Sequence, residues 1–508
     1  MLARHGWLVA IAAIYLYVFP YFPAIQSANE LPRVYLVRSI VDAHTFALDA
    51  PAKVWGQTGD MSPSGGHVYS NKAPGSSLLV VPAYAAARVV GDPGLAGTMW
   101  LCRVVGGIVP ALLFLVLLSR FLARFSPDEA TRRLVLVAYA LGSMAMTYAI
   151  LFYSHQLSAI CIASAWIVAV DVVDGKRGAR AMLAAGALAG AAPLVDYQAA
   201  LAGVPVFAWL VATLWQRRGD RPGELARVLG CGAAGAVLPI ALLLAYHTVC
   251  FGGPLHTGYA ASEVYAADHA HGLLGATYPK WTAVVGTTVA VDKGLFALAP
   301  WLVLTIPGTV VLWRRGERGT AIVGGAVFVL FLAFVASLAF WRAGWEVGPR
   351  YVTAMLPFTL PAVVALVDAV RASAHPRAKL VAGAVAAPML VAIAIYTLSS
   401  ATFPYWPDAF HDPLYEVTFR LLGDNLVAPS LGSALGLAGV VGIAPYLVAC
   451  AAVAGWAIAR VAGPLGLAVA GAIAAAWLGA YGLVTHGGTA ADAAYQRTVK
   501  PAVEKAQM

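Results

Sequence analysis

Long apolar runs, separated by short polar segments, follow one another along most of the chain. Many runs hold about 18 or more residues, which is enough for a helix to cross a bilayer core of roughly 30 Å. A β-barrel would instead show short segments of alternating apolar and polar residues. The pattern predicts an all-α, polytopic membrane protein with about thirteen transmembrane helices.

Basic residues indicate how these helices are oriented. Clusters of Lys and Arg occupy alternate connections, and Arg4 and His5 precede the first apolar run. Because cytoplasmic loops are enriched in Lys and Arg, we expect a cytoplasmic N-terminus and outer loops that are long and aromatic-rich. The apolar segment 76–90 is short, and counting it as a span would invert every later loop. We therefore predict that it is a re-entrant or juxtamembrane helix on the outer side.

Composition narrows the class of protein further. Hydrophobic residues make up 60% of the chain and charged residues 11%, with a mean hydropathy of +0.76, whereas a soluble domain carries about 25% charged residues. The net charge of +9 comes largely from the loop clusters, so it does not indicate a nucleic-acid partner. The five cysteines lie in or beside apolar runs without close pairing, which is typical of small buried hydrophobic residues.

The polar segment 26–76 is the strongest candidate for a catalytic loop. It is too long for a simple turn, and long loops in compact proteins are usually functional. Glu30 lies just beyond the first span, where a carboxylate could act as a general base toward an acceptor hydroxyl. A solvated interfacial glutamate is the alternative, and Asp42, Asp49 and Asp60 are rival bases in the same loop.

Three basic residues are candidates for binding a phosphate. Lys72 precedes the segment 76–90, and Lys293 has a similar setting at the outer end of a later span. Arg350 follows a Gly-Pro pair, and its guanidinium could hold a phosphate in a fork. The alternative for all three is an anchor that places its charge among the lipid headgroups.

The remaining candidate substrate contacts are polar residues in or next to outer loops: Arg38, Asp60, Tyr69, His155, Tyr259 and Glu346. His155 could donate to a substrate, or it could be a satisfied structural histidine. The histidines and acidic residues of the loop after residue 250 match no metal-ligand spacing, so we predict no metal site. No cofactor is indicated, although the outer acidic residues could attract a divalent cation.

Seven segments of the chain together form a recognisable pattern. They are Asn29-Glu30, Tyr69-Ser70-Asn71-Lys72-Ala73-Pro74-Gly75, Leu151-Phe152-Tyr153-Ser154-His155, Pro193-Leu194-Val195-Asp196-Tyr197, Cys250-Phe251-Gly252-Gly253-Pro254 with Thr257-Gly258-Tyr259, Lys293-Gly294-Leu295-Phe296 and Gly344-Trp345-Glu346-Val347-Gly348-Pro349-Arg350-Tyr351. In this order and spacing, they resemble the C-type (GT-C) integral membrane glycosyltransferases, in particular the bacterial group that is protein-mannosyltransferase-like and aminoarabinose-transferase-like. The likeness covers about residues 1–370.

The resemblance implies a GT-C-like helical bundle that moves a sugar from a polyprenyl-phosphate donor to a lipid, glycan or protein acceptor. Glu30 matches the acidic residue that serves as base in the family, and Lys72 matches the loop lysine near the donor phosphate. Arg350 has no clear counterpart, so its phosphate role is inferred from its type and position. The family often has Asp or Asp-Glu where this chain has Asn29-Glu30, which keeps Asp42 open as the base.

The resemblance also implies a division of the chain and a location. Residues 1–370 form the predicted glycosyltransferase module, and residues 371–508 form variable C-terminal transmembrane helices with a short periplasmic tail. We expect the bacterial inner membrane, a periplasmic active site and inverting transfer with one carboxylate base. Two alternatives are a transporter or flippase of a lipid-linked or anionic solute, and a polymerase or ligase of lipid-linked glycans.

Overall fold

The computed structural model describes residues 2–25, 27–218, 222–269, 272, 275–484 and 486–507. Gln26, the first residue of the predicted catalytic loop, lies outside the described residues, as do both terminal methionines. The order of elements is helical almost throughout, with a single strand pair among the described residues.

The N-terminal part contains one apolar helix and then the elements of the predicted first outer loop. These elements are α1 (Leu2–Tyr17), α2 (Leu31–Asp42), α3 (Asp49–Trp55), β1 (Met61–Ser64), β2 (His67–Ser70) and α4 (Gly75–Val90). The two strands pair in antiparallel fashion, with Met61 opposite Ser70 and Ser64 opposite His67. The predicted loop is therefore folded, and its hairpin is an exception to the predicted all-α class.

The middle of the chain is a series of helices that cross back and forth. They are α5 (Gly94–Arg103), α6 (Val109–Phe121), α7 (Glu129–Leu141), α8 (Met144–Ile150), α9 (Ser154–Val173), α10 (Ala181–Val195), α11 (Ala200–Arg218) and α12 (Pro222–Phe251). Side-chain oxygens of Asp128 and Ser143 cap the first turns of α7 and α8, as is common where a backbone N–H lacks a helical partner.

The last part contains short outer elements and further long helices. They are α13 (Ala266–His269), α14 (Trp281–Thr288), α15 (Leu295–Leu298), α16 (Thr305–Arg314), α17 (Arg318–Ser337), α18 (Leu356–Arg371), α19 (Ala378–Ala401), α20 (Arg420–Gly423), α21 (Leu431–Ala434), α22 (Gly439–Tyr481), α23 (Gly488–Ala494) and α24 (Lys500–Gln507). A break at Gly463 divides α22 into two arms. Tight or wide helical turns occupy Val104–Ile108, Leu122–Arg124, Tyr197–Ala199, Pro300–Leu304, Arg350–Met355, Leu414–Phe419 and Tyr495–Val499.

Many of these helices are suited to a bilayer, which confirms the predicted polytopic helical architecture. Eight described helices are long and apolar enough to cross a membrane, and the bent pair α7–α8 makes a ninth if it is one span. Three further apolar helices are shorter: His5–Tyr17, Gly75–Val90 and Ala181–Val195. These lengths do not establish the predicted total of thirteen, and the interfacial placement of Gly75–Val90 stays a prediction.

One large apolar core joins the N-terminal and C-terminal helices. Buried side chains from α1, α7, α9, α18, α19 and α22 belong to the same packed cluster, which includes Trp166, Trp301 and Trp406. Packing therefore crosses residue 370, and the division into residues 1–370 and 371–508 stays a prediction. A second cluster packs α2 and α4 against Tyr246, Cys250 and Phe251.

Candidate active site

A cavity of about 530 Å³ lies where the first outer loop meets the ends of several long helices. In the predicted topology, most of the charged and aromatic residues that line the cavity lie in outer loops or at the outer ends of helices. The polar and aromatic lining residues are Asn29, Arg33, Lys72, His155, Asp196, Tyr197, Gln198, Thr257, Tyr259, Asp268, Phe340, Arg350 and Tyr351. Three cations, two carboxylates and one imidazole thus share one enclosed space.

Among the described residues, Arg33 is the lining cation that has no carboxylate within ion-pair distance, whereas Lys72 and Arg350 each have one. Its side chain is 3% exposed, and its Nη1 donates to the carbonyl oxygen of Asn29 at 2.5 Å and to the Asn29 side-chain oxygen. Its Nη2 donates to the Ser154 hydroxyl at 2.7 Å, while Nε has no hydrogen-bond partner in the described part of the chain. Since no ion pair joins Arg33 to a described acidic residue, its buried charge favours an incoming anion.

Lys72 reaches the cavity from the end of the hairpin. Its ammonium group lies 2.9 Å from a carboxylate oxygen of Asp60 and donates to the Tyr259 hydroxyl at 3.3 Å. Burial lowers the pKa of Lys72, Asp60 raises it and Arg33 lowers it again, so that the pKa stands below its ordinary value. Lys72 and Arg33 are therefore near enough for each to disfavour the other's charge, which an anion between them would relieve.

The loop that carries Tyr259 approaches Lys72 closely because residue 258 is glycine. A Cβ at Gly258 would lie 2.5 Å from the Cα of Asn71, and the Gly258 carbonyl accepts a hydrogen bond from the Ser62 hydroxyl at 2.8 Å. Any side chain at this position would push the loop off the hairpin. The contact between Lys72 and Tyr259 depends on that close packing.

Arg350 enters the cavity from the turn that precedes α18. Gly348 has a φ of +82°, and a Cβ there would lie 2.7 Å from the Tyr396 hydroxyl, so the turn needs glycine. The Arg350 guanidinium stands over the rings of Tyr153 and Tyr351. Its Nε lies 3.0 Å from a carboxylate oxygen of Glu346 without hydrogen-bond alignment.

Glu346 lies behind Arg350 and outside the lining of the cavity. It is buried, and Lys293 is 3.9 Å from its other carboxylate oxygen. Burial raises the pKa of Glu346 from its ordinary 4.5 to about 7, although Arg350 and Lys293 oppose that rise. Lys293 itself donates to the carbonyl oxygens of Arg342 and Gly344 and contacts Asp408, so it holds the loop rather than lining the cavity.

His155 and Asp196 form a buried pair at the edge of the cavity. Nδ1 of His155 lies 2.5 Å from a carboxylate oxygen of Asp196, and Gln198 donates to the same carboxylate at 3.3 Å. His155 is 4% exposed, and its Nε2 has no hydrogen-bond partner in the described part of the chain. The pair brings together the first turn of α9 and the residue that follows α10.

Glu30, the predicted base, lies outside the cavity lining in a saturated ion pair. Its two oxygens accept from Arg103 at 2.9 Å each, from the Phe152 N–H at 2.6 Å and from the Tyr405 hydroxyl at 2.7 Å. Burial raises the pKa of Glu30, but these donors outweigh it and hold the pKa below its ordinary value. The catalytic role of Glu30 stays a prediction that this geometry does not favour.

The other predicted site residues fall into two places. Asp42 accepts from Tyr84 at 2.9 Å and from Arg88 at 2.7 Å, and it belongs to a juxtamembrane cluster in which Arg38 pairs with Asp92 at 2.9 Å. Tyr69 lies on β2 and packs against Phe251. Thus Lys72, His155, Tyr259 and Arg350 meet at the cavity and Asp60 adjoins it through Lys72, whereas Asp42, Arg38 and Tyr69 do not line it.

Sequence reasoning assigned no role to Arg33, Asp196 or Arg103. The signals for the first two were present, because Arg33 lies in the polar loop and Asp196 lies at an outer turn like that of His155. Arg103 had a weaker signal, since it is the only charge in the apolar helix Gly94–Arg124 before the basic end at Arg120 and Arg124. An ionisable residue in such a helix indicates a buried partner, which here is Glu30.

Within the described ranges, no group of three or more His, Cys, Asp or Glu side chains could hold a metal ion.

A second cavity, of about 370 Å³, is lined by apolar and small residues of α9, α10, α11 and α12. Two of these helices also line the polar cavity. On α9 the lining passes from His155 to Ile162 and Ala169, and on α11 it passes from Leu201 to Gly203 and Leu210. The apolar cavity therefore follows the polar one along the same two helices.

No protein-family model and no curated protein matches the chain. Among solved structures it is similar to ArnT from Cupriavidus metallidurans bound to undecaprenyl phosphate, with 15% identity and a TM-score of 0.49 over 99% of this chain and 79% of that one. It is also similar to the apo state of ArnT (14%, TM-score 0.48, 94% and 78%) and to the arabinosyltransferase EmbB from Mycobacterium smegmatis (14%, TM-score 0.47, 98% and 43%). Likenesses of this size do not establish the chemistry of this chain.

Proposed function

We propose that this protein is a membrane glycosyltransferase that moves a sugar from a polyprenyl-phosphate-linked donor to an acceptor on the outer face of the membrane. The observation that carries the proposal is the buried guanidinium of Arg33, which makes no ion pair with a described carboxylate and shares the cavity with Lys72 and Arg350. A phosphate diester bound there would pair with this guanidinium. The resemblance of seven sequence segments to the GT-C glycosyltransferases supports the same class of donor.

The charges in the cavity suit the leaving group of this reaction. A polyprenyl-phosphate sugar carries one negative charge at its phosphate, and the released polyprenyl phosphate gains a second as the sugar–oxygen bond breaks. Fixed cations that face developing charge in a water-poor site stabilise the transition state more than the ground state. Arg33 and Arg350 supply planar donors for this purpose, and Lys72 supplies a point charge.

The apolar cavity offers space for the first isoprene units of the donor. It begins on the same helices as the phosphate site and is lined by residues such as Ile162, Gly203 and Phe207. A lipid bound in this way would keep its tail within the bilayer while its phosphate stays at the outer end of the helices. The acceptor would then approach from the outer loops, which the distribution of basic residues places in the periplasm.

A donor panel tests the proposal. The purified protein in lipid nanodiscs is incubated with radiolabelled undecaprenyl-phosphate hexoses, pentoses and amino-pentoses, with a bacterial lipid extract as the source of acceptors. We expect release of undecaprenyl phosphate from one class of sugar donor and transfer of label to an acceptor. Binding of these lipids without release from any of them would contradict a transferase and favour the flippase alternative.

Donor binding should also depend on pH through Glu346. Its pKa is raised to about 7, so Glu346 is neutral below that pH and ionised above it. When ionised it neutralises Arg350 and repels the donor phosphate by about 2 kcal/mol at about 8 Å and an effective dielectric constant of about 20. The affinity for the donor is therefore expected to fall roughly tenfold between pH 6 and 8.

The measurement is the dissociation constant of a labelled undecaprenyl-phosphate sugar across this pH range. Glu346→Gln removes the ionisable group, so the dissociation constant should no longer change with pH. The donor phosphodiester does not titrate in this range. Glu346 also interacts electrostatically with Lys293, Arg350, Asp408, Tyr148 and Tyr396. A pH dependence that persists in Glu346→Gln would assign the titration to another group.

A further inference from the structure

We propose that His155, oriented by Asp196, is the general base that takes the proton from the acceptor hydroxyl. This inference rests on the proposed glycosyltransferase function and names the proton acceptor of its reaction. It departs from the carboxylate base that the family resemblance implies. Nδ1 of His155 lies 2.5 Å from a carboxylate oxygen of Asp196, and both side chains line the cavity that holds the three cations.

The geometry of the pair determines which nitrogen is available. A contact of 2.5 Å between Nδ1 and a carboxylate oxygen requires a shared proton, so Nδ1 carries the hydrogen and donates it to Asp196. The lone pair of the imidazole then resides on Nε2. That atom is buried and has no hydrogen-bond partner among the described residues, although the side chain lines the cavity.

A buried imidazole nitrogen without a partner is costly unless a ligand supplies one. The groups around the ring do not supply it, because Tyr148, Tyr153 and Tyr351 contact it through their rings. Asp196 and Gln198 are both engaged at the Nδ1 side. An acceptor hydroxyl that entered the cavity would therefore find an oriented proton acceptor at Nε2.

The carboxylates compete poorly for this role. Glu30 has its oxygens occupied by Arg103, Tyr405 and the Phe152 N–H, and it does not line the cavity. Its neighbour Asn29 does line the cavity, but a side-chain amide cannot accept a proton at neutral pH. Asp268 is the remaining carboxylate of the lining besides Asp196. It lies on the short helix α13, and no hydrogen bond or ion pair with a described residue orients it.

The proposed step balances in atoms and charge. The acceptor oxygen forms a bond to the anomeric carbon while its proton passes to Nε2 of His155. The bond between the anomeric carbon and the phosphate oxygen breaks, and its electron pair leaves with polyprenyl phosphate. Asp196 then stabilises the imidazolium, which passes its proton to the phosphate or to water, and Arg33, Lys72 and Arg350 stabilise the phosphate until it leaves.

The first test uses His155→Ala with the sugar donor that the wild-type protein consumes. We expect the rate of undecaprenyl-phosphate release at saturating donor to fall by roughly 10²–10⁴-fold, and the dissociation constant of the donor to change by less than about threefold. Added imidazole should restore part of the rate, because it can occupy the space that the side chain leaves. Asp196→Asn should also slow release, since it no longer selects the Nδ1–H tautomer.

A matched control is His247→Gln. His247 is also buried, but its Nδ1 contacts the Pro254 carbonyl oxygen and its Nε2 contacts the Tyr197 hydroxyl, so both ring nitrogens have partners. It does not line the cavity. We expect this variant to release undecaprenyl phosphate within about threefold of the wild-type rate and to show no response to imidazole.

Three results would overturn the inference. One is wild-type release by His155→Ala. Another is a loss of donor affinity as large as the loss of rate, which would make His155 a binding residue. The third is a loss of release in Asp268→Asn together with the absence of imidazole rescue in His155→Ala. If the wild-type protein releases nothing from any donor, the proposed function fails instead, and the two failures are thereby distinguished.

Discussion

Replacing Arg33 with methionine is expected to slow release of undecaprenyl phosphate by roughly 10²–10³-fold while the protein stays folded. The loss follows from removing a positioned cation that faces the phosphate as its charge develops. Folding should survive because Arg33 has no ion pair with a described carboxylate, so its removal leaves no buried counter-ion unpaired. The measurements are donor release at saturating donor and the thermal unfolding temperature in lipid nanodiscs.

Arg420→Met serves as the control for a lost guanidinium. Arg420 contacts Asp492 and the ring of Tyr495 at a distance from the cavity lining, so its replacement should leave release within about twofold. Arg33→Lys keeps the charge but loses the fork of donors, and an intermediate rate is expected. Full activity in Arg33→Met would contradict the proposal that Arg33 forms part of an anion site for the donor phosphate.

Replacing Glu30 alone with glutamine is expected to cost about 3–5 kcal/mol of unfolding free energy. The carboxylate is fully buried, and Arg103 is 2% exposed, so the single variant leaves the Arg103 charge without a counter-ion. The loss should appear as a lower unfolding temperature and a lower yield of folded protein. Loss of activity in this variant would therefore not by itself reveal a catalytic role.

The double variant Glu30→Gln with Arg103→Met separates structure from catalysis. Removing both charges of a buried pair is often neutral for stability, so much of the lost unfolding free energy should return. If His155 is the base, the stable double variant should release undecaprenyl phosphate within about tenfold of the wild-type rate. A stable double variant that releases nothing would instead establish Glu30 as the base, as the family resemblance implies.

Much of the helical architecture could be predicted because hydropathy and charge act locally along the chain. The same patterns placed Lys72, His155, Tyr259 and Arg350 at the outer ends of spans, and the structure brings these four residues to one cavity. Their meeting follows from topology, since outer ends of helices in one bundle share one face. Their chemical roles stay predictions until the variants are measured.

The pairing of buried charges could not be predicted, since it depends on contacts between distant residues. Glu30 and Arg103 are 73 residues apart, and neither position reveals that each neutralises the other. The hairpin was missed for another reason: its strands have only four residues each, too few to show a clear alternation. Asp196 resembled an ordinary turn residue until its contact with His155 was known.

The partners of Glu30 also set an order of events during synthesis. Arg103 is synthesised soon after Glu30. Tyr405, which donates to the same carboxylate, lies 375 residues after Glu30. At about 5–20 residues per second, translation from Arg103 to Tyr405 takes roughly 15–60 s. In the predicted topology, the first outer loop crosses the membrane during that time without the C-terminal segment that closes over it. We therefore expect this loop to reach its final packing last, and truncation of the chain before Tyr405 should leave it more open to proteases.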